Sequence, residues 1–253
     1  MDYDVVIVGA GPAGLAAGIK LKQLAAAASQ ELSVVIVEKG AEVGAHILSG
    51  AVIDPIGIDR LLPQWRPEET PIKTKVTDDR FYYLGPSGRL RLPNMLMPPL
   101  MNNHGNYIVS LGNVCRWLGT KAEALGVEIY PGFAASELLF GDKGEVIGIA
   151  TGDMGIAKNA TAKPGFTRGM ELRGKYVAFA EGARGSLTKQ LVARFGLADG
   201  RDPQKYGLGI KELWKVAPDR HRPGLVQHSF GWPLDNATGG GSFIYHFEDN
   251  LVA

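Results

Sequence analysis

Three glycines and one acid carry the most readable chemistry in this sequence. Gly9, Gly11 and Gly14 stand in the run Gly9-Ala10-Gly11-Pro12-Ala13-Gly14, and Glu38-Lys39 follows further on. In such a spacing the first glycine permits a tight exit from a strand. The second lets a pyrophosphate approach backbone that a side chain would cover, and the third lets a helix pack close to the sheet. The phosphates would face N–H groups at the positive end of that helix. Glu38 is a natural acceptor for ribose hydroxyls, and its charge would repel a 2′-phosphate, which disfavours NADP. The spacing alone does not separate FAD from NAD.

The elements that must hold these residues are visible around them. Residues 5–8 are a continuous β-branched run, as in a parallel strand buried on both faces. Residues 15–28 are rich in Ala and Leu with no proline, which predicts a helix. Residues 33–37 predict a second strand, ending at Glu38. A merely glycine-rich turn would not need this complete strand–turn–helix–strand setting.

Further along, residues 113–125 predict a helix with Val114, Trp117, Leu118 and Ala122 near one face and Gly126 as C-cap. A strand follows at 127–130. Residues 137–140 and 145–150 flank Gly141-Asp142-Lys143-Gly144 and predict a hairpin. Residues 151–174 read as a polar, locally basic loop, either solvated or a docking surface for an acidic partner. Residues 176–180 predict another buried strand, running into Glu181-Gly182-Ala183-Arg184-Gly185 and a helix at 186–195. That strand–acid–glycine–helix order repeats the logic of a nucleotide edge. From Tyr206 onward, segments 208–216, 226–232 and 242–247 are aromatic and alternating, which predicts a second, mostly antiparallel domain.

Composition narrows the partners. The chain has 253 residues, 27 Lys plus Arg against 26 Asp plus Glu, and a net charge of +1, so nothing points to nucleic acid. One cysteine, Cys115, excludes an intrachain disulfide framework and any cysteine-ligated cluster held by this chain alone. It reads as a small buried hydrophobe. No segment reaches the roughly 18–20 apolar residues of a membrane span, and the start Met1-Asp2-Tyr3-Asp4 lacks the basic region and cleavage site of a signal peptide. Residues 39–50 form a glycine-rich loop in which His46 could touch cofactor or substrate, although a lone histidine is more often structural. Residues 54–107 are broken by eight prolines and read as an insertion outside the nucleotide fold. Within it, residues 90–101 are apolar and methionine-rich. They either fold onto the core or form an exposed patch that enters a lipid surface or lines a hydrophobic tunnel. The chain stops in the apolar run Leu251-Val252-Ala253, which reads as the end of an N-terminal fragment.

Several separated stretches resemble the electron transfer flavoprotein–ubiquinone oxidoreductase family. They are Leu48-Ser49-Gly50-Ala51, Met101-Asn102-Asn103-His104-Gly105-Asn106-Tyr107, Gly152-Asp153-Met154-Gly155-Ile156, residues 206–214, Gly231-Trp232-Pro233-Leu234-Asp235 and residues 240–246. The resemblance implies an α/β fold: a Rossmann-like FAD-binding domain of the glutathione-reductase type with a second, mainly antiparallel β domain, truncated at the C-terminus. It implies an FAD-binding domain over 1–205, carrying the insertion at about 54–107, and the start of a ubiquinone-binding domain over 206–253. The 4Fe-4S domain would lie in a missing C-terminal part. The implied activity passes electrons from reduced electron transfer flavoprotein through FAD to ubiquinone. The implied location is a membrane surface, peripheral on the cytoplasmic face of a bacterial inner membrane, or on the mitochondrial inner membrane in a eukaryote, though no transit peptide is seen. Carried over by position, Gly9, Gly11, Pro12, Ala13, Gly14, Glu38, Lys39, Ser49, Gly50, Glu181, Gly182 and Ala183 would hold FAD. Gly240 and Gly241 would form a backbone turn at the quinone head group. No catalytic side chain and no proton donor is assigned, because the cofactors carry the redox chemistry. Two other readings remain: a flavin-dependent hydroxylase or isoprenoid-lipid reductase, and a non-catalytic FAD-binding fragment. The first often has an arginine near the start of the 113–125 helix, where this chain reads Val109-Ser110-Leu111-Gly112.

Overall fold

The computed structural model describes residues 1–47, 50–235 and 237–253. In chain order the first elements are β1 (Asp2–Val8), α1 (Pro12–Ala27), β2 (Val34–Glu38), β3 (Ala51–Ile53) and α2 (Ile56–Leu61). Next come β4 (Thr74–Lys75), β5 (Asp78–Gly85), β6 (Gly88–Leu92), β7 (Tyr107–Val109), α3 (Leu111–Ala124) and β8 (Val127–Pro131). They are followed by β9 (Ala135–Phe140), β10 (Val146–Thr151), β11 (Met154–Ile156), β12 (Ala162–Thr167), β13 (Glu171–Phe179) and α4 (Ser186–Arg194). The last are β14 (Trp214–Lys215), β15 (Leu225–Gly231), β16 (Ser242–Phe247) and β17 (Leu251–Val252). The chain packs as two units, Met1–His46 with Cys115–Gly207, and Ile47–Val114 with Leu208–Ala253.

The first unit is built on a six-stranded sheet in the order β8-β2-β1-β13-β10-β9. β8, β2, β1 and β13 are parallel, and β10 and β9 continue the sheet antiparallel. Val5–Val8 and Val34–Val37 are buried throughout, as a sheet covered on both faces requires. Val6, Val8, Val35 and Val37 pack with Ile149, Leu172 and Leu187. Each such buried side chain contributes about 1.5–3 kcal/mol. α3 turns Cys115, Leu118 and Ala122 inward, and burial pushes the Cys115 thiol up to about 11, so it is an inert core residue.

The expected polar loop at 151–174 is instead an exposed antiparallel ribbon, β11 with β12, leading directly into β13. A ribbon that buries neither face leaves no apolar alternation to read. The expected hairpin at 137–150 is present as β9 and β10.

The second unit holds a six-stranded sheet in the order β14-β17-β16-β15-β5-β6 and a three-stranded sheet in the order β3-β7-β4. Every pairing in both is antiparallel except β5 with β15, which run parallel from Asp78↔Leu225 to Leu84↔Gly231. Val76, Ile108, Val226, Tyr245 and Phe247 form its core. The proline-rich residues 54–107 are therefore structural members of this unit, supplying β4, β5, β6 and β7. The strand expected over 208–216 shortens to β14, because only Trp214 and Lys215 find ladder partners, in β17. Leu208 and Ile210 stand almost fully exposed. Of the two readings of residues 90–101, exposure holds. After β6 the chain makes two single 3-10 turns at Asn94–Leu96 and Pro99–Met101, with Met95 89%, Leu96 72% and Leu100 99% exposed. Among the described residues no helix is long and apolar enough to cross a membrane.

Candidate functional site

The glycine turn sits where β1 ends and α1 begins, and each of its glycines answers to a different demand. Gly9 has φ +107°, and a Cβ there would lie 2.5 Å from the Ala180 carbonyl oxygen. Gly14 faces the Gly9 carbonyl so closely that any Cβ would collide with backbone. Both are glycine because the protein packs against itself. Gly11 is different: its backbone is extended (φ −77°, ψ −179°), and an added Cβ would meet nothing among the described residues within 4 Å. Neither strain nor packing within the chain calls for glycine at position 11. Open space beside a helix start is what a close-lying anion would use. Pro12 opens α1 without a donor to lose, and the first helical bond runs from the Leu15 N–H to the Gly11 carbonyl (3.0 Å). The Ala13 and Gly14 N–H groups precede that ladder, so the turn fits a pyrophosphate.

Glu38, at the end of the neighbouring strand, points back to this turn. One carboxylate oxygen accepts the Ala10 N–H (2.9 Å) and the other the Gly40 N–H (2.7 Å). A carboxylate has about four lone-pair sites, so capacity remains for ribose hydroxyls. Lys39 is exposed. The second acidic turn lies beside the first, since Ala180 donates to the Val8 carbonyl (2.8 Å) and its own carbonyl backs Gly9. Gly182 has φ +78° and Ala183 is exposed. The Glu181 side chain is occupied locally: its oxygens accept the Leu187 N–H (3.2 Å), the Thr188 N–H (2.7 Å) and the Thr188 hydroxyl (2.7 Å). It caps α4, whose own N-cap, Gly185, has no side chain. His46 is exposed in the loop after β2.

In the second unit, Gly50 has φ +86°, is buried, and its carbonyl accepts Lys211 Nζ (2.9 Å). Ser49 lies outside the described residues. Gly240 and Gly241 lead into β16 and are exposed. A Cβ on Gly241 would collide with the Ser229 carbonyl, and one on Gly240 would lie 2.7 Å from Leu234 Cδ1. The turn is thus drawn tight against β15.

Beside that turn is a cluster that the sequence reading did not single out. His228 on β15 and Tyr245 on β16 are joined, His228 Nε2 to the Tyr245 hydroxyl, at 2.8 Å. The imidazole stacks on Phe81 with centroids 5.1 Å apart, and Tyr245 stacks on Phe243 at 4.6 Å. Burial lowers the pKa of His228 and lifts that of Tyr245 to about 12; the charge of buried Asp79 opposes the first shift and adds to the second. Asp79 is itself held by the Asn103 backbone N–H (2.9 Å) and side-chain amide.

Fold and turn together define a Rossmann-type, dinucleotide-binding domain. Residues 7–68 match a family model described as an NAD(P)-binding Rossmann-like domain, and residues 206–253 match one described as ETF-QO, ubiquinone-binding. The chain is 56% identical over 251 residues to the mitochondrial electron transfer flavoprotein-ubiquinone oxidoreductase of Dictyostelium discoideum, covering 99% of this chain and 41% of that protein. It is 55% identical over 254 residues to the Pseudomonas aeruginosa enzyme, covering 100% of this chain and 46% of that protein. It is 53% identical over 255 residues to the human mitochondrial enzyme, covering 100% and 41%. A geranylgeranyl bacteriochlorophyll reductase-like protein from Thermoplasma acidophilum superimposes with TM-score 0.62 at 17% identity, covering 99% of this chain and 55% of that one. A flavoprotein/dehydrogenase from Cytophaga hutchinsonii does so with TM-score 0.60 at 16% identity, covering 100% and 54%. These two likenesses speak to the fold alone. The chain is thus similar over nearly all of its length to electron transfer flavoprotein-ubiquinone oxidoreductases, and it spans less than half the length of these curated relatives.

Proposed function

We propose that this chain supplies the FAD site and part of the quinone site of an enzyme that moves electrons from reduced electron transfer flavoprotein to ubiquinone at a membrane surface. The observation that carries the reading is Gly11: a glycine that the chain's own packing does not need, at the mouth of a βαβ unit, in a sequence 52–56% identical to named enzymes of that activity. Gly9, Gly11, Pro12, Ala13 and Gly14 cradle the FAD pyrophosphate, and Glu38 and Lys39 lie at the ribose end. Ser49 and Gly50 belong to a loop near the flavin, and Glu181, Gly182 and Ala183 to a second FAD-binding turn, with Glu181 acting through the backbone it fixes. FAD, when bound, supplies the one- and two-electron chemistry. The protein contributes position, exclusion of water and hydrogen bonds. Gly240 and Gly241 offer backbone to the flat quinone ring.

The membrane reading rests on Leu90, Met95, Leu96, Leu100 and Met101, exposed together in one short stretch. Each would contribute about 1.5–3 kcal/mol on burial, enough for peripheral attachment. In bacteria the surface is the cytoplasmic face of the inner membrane, and in eukaryotes the mitochondrial inner membrane. The test is reduction of a short-chain ubiquinone by the full-length protein, with chemically reduced electron transfer flavoprotein as donor. Donor-dependent quinol formation and stoichiometric flavin are expected. A flavin-free protein, or one that reduces quinone only with a nicotinamide donor, would refute the proposal.

A further inference from the structure

Among the described residues two buried ring nitrogens have no hydrogen-bond partner, His221 Nε2 and His228 Nδ1, and the second lies on the sheet of the second unit. On one face of β5, β15 and β16, Phe81, His228, Phe243 and Tyr245 form a continuous aromatic layer, with His228 opposite Phe81 and Phe243 in the strand register. Within it His228 Nε2 is bonded to the Tyr245 hydroxyl, while His228 Nδ1 is buried and has no hydrogen-bond partner. A buried nitrogen left in this state is costly, about 1–3 kcal/mol, unless something outside the chain satisfies it.

The His228–Tyr245 bond can run either way, and a donor role for Nδ1 requires the phenol to donate. Tyr245 is buried, and its raised pKa keeps the phenol protonated across physiological pH. The imidazole stays neutral because burial disfavours its charge, although buried Asp79 pulls the other way. A phenol that donates its O–H to Nε2 leaves the imidazole proton on Nδ1. In that arrangement the unpaired Nδ1 is a donor set within the aromatic layer. Its complement is a group that accepts hydrogen bonds and donates none, carried on a flat ring that can lie against aromatic side chains. A quinone carbonyl has that chemistry.

We infer that His228 is a quinone-binding residue, donating a hydrogen bond from Nδ1–H to one carbonyl oxygen of the head group, with Tyr245 as the positioning residue that fixes the tautomer. The inference rests on the ubiquinone reading given above and deepens it. The contact strengthens as the carbonyl gains negative charge on reduction, so His228 favours the reduced state of the ring as well as holding it.

The test uses the full-length flavin-loaded protein and a short-chain ubiquinone carrying 13C at its carbonyls. His228→Phe keeps a ring against Phe81 but has no donor; His228→Asn restores an N–H near the Nδ1 position. Each variant is judged against its own flavin content and its own rate with a one-electron dye. His228→Phe is expected to raise the KM for quinone about tenfold, which corresponds to about 1.4 kcal/mol, and His228→Asn to recover most of that. The infrared carbonyl band of bound quinone should rise toward its free frequency in His228→Phe and return in His228→Asn. Tyr245→Phe should produce an intermediate KM. A wild-type protein that reduces quinone while both His228 variants keep its KM and carbonyl band would overturn this assignment alone. A wild-type protein without quinone reduction would overturn the functional reading and this assignment with it.

Discussion

Replacing Gly11 separates what the protein needs from what its ligand needs. In Gly11→Val the new side chain enters space where no atom of the described residues lies within 4 Å of the Cβ, on backbone that any residue adopts. The cost to the folded protein is the loss of a tolerated N-cap, about 0.5–1 kcal/mol, or roughly 1–4 °C in a domain of this size. In Gly14→Ala, by contrast, one methyl meets the Gly9 carbonyl, and the turn or the helix must shift. Overpacking of that kind costs about 1–3 kcal/mol or more. The order reverses for the ligand. Valine at position 11 covers the N–H groups that begin α1, and losing two charge-assisted hydrogen bonds weakens binding by about 3–6 kcal/mol, a hundredfold or more. The assay pairs flavin-to-protein absorbance after gel filtration with thermal melts of the flavin-free proteins. Gly11→Val should elute colourless with a near-normal flavin-free melt, and Gly14→Ala should melt markedly lower. A yellow Gly11→Val with full stoichiometry, or one whose flavin-free form melts as low as Gly14→Ala, would refute the reasoning.

Other outcomes follow from contacts elsewhere. Glu181→Ala removes three acceptor contacts at the start of α4 and should lower unfolding free energy by about 1–2 kcal/mol, read by denaturant titration with the flavin removed. Asp4 is bonded by Lys175 Nζ (2.6 Å), Ser33 N–H and the Ser33 hydroxyl, which hold its pKa down at about 2. A folded pKa below the ordinary value of 3.8 gives a stability contribution present above pH 4 and lost as pH falls from about 4 to 2. Stability curves of wild type and Asp4→Asn should therefore converge below pH 2 and differ above pH 4; parallel curves throughout would contradict this. Leu96→Asp with Met97→Asp should release the protein from sedimenting phospholipid vesicles, and unchanged sedimentation would remove the membrane role of residues 90–101.

The legibility of this chain follows where its residues answer to local rules. The βαβ unit could be read because Val5–Val8 and Val34–Val37 are buried on both faces, and because glycine spacing reports a turn directly. Reading failed where partners are distant. Nothing near residues 78–84 says that they pair with 225–231, so the proline-rich segment could be read as an insertion outside the nucleotide fold but not as the source of two strands of the six-stranded sheet. β12 buries no side chain and so left no period to find. Glu181 was legible as part of a nucleotide edge, but its capping of α4 depended on where Leu187 and Thr188 would come to lie. His228 was hidden because a single histidine in an alternating strand looks like any satisfied core residue until its second nitrogen is seen unpartnered.

The parallel pairing of β5 with β15 also sets a schedule for synthesis. Asp78–Gly85 leaves the ribosome long before Leu225–Gly231 exists, and the whole of β8 through α4 is made in between. At roughly 5–20 residues per second the delay is on the order of ten seconds. During that time Phe81, Tyr83 and Leu90 sit in a hairpin with an open edge, able to pair with a neighbouring nascent chain as readily as with their eventual partner. The first unit is free to fold in the interval, since its parallel core closes once β13 has emerged. Yield in the cell should therefore respond to translation rate and chaperone supply through the second unit, and codon choice between positions 85 and 225 becomes a handle on it.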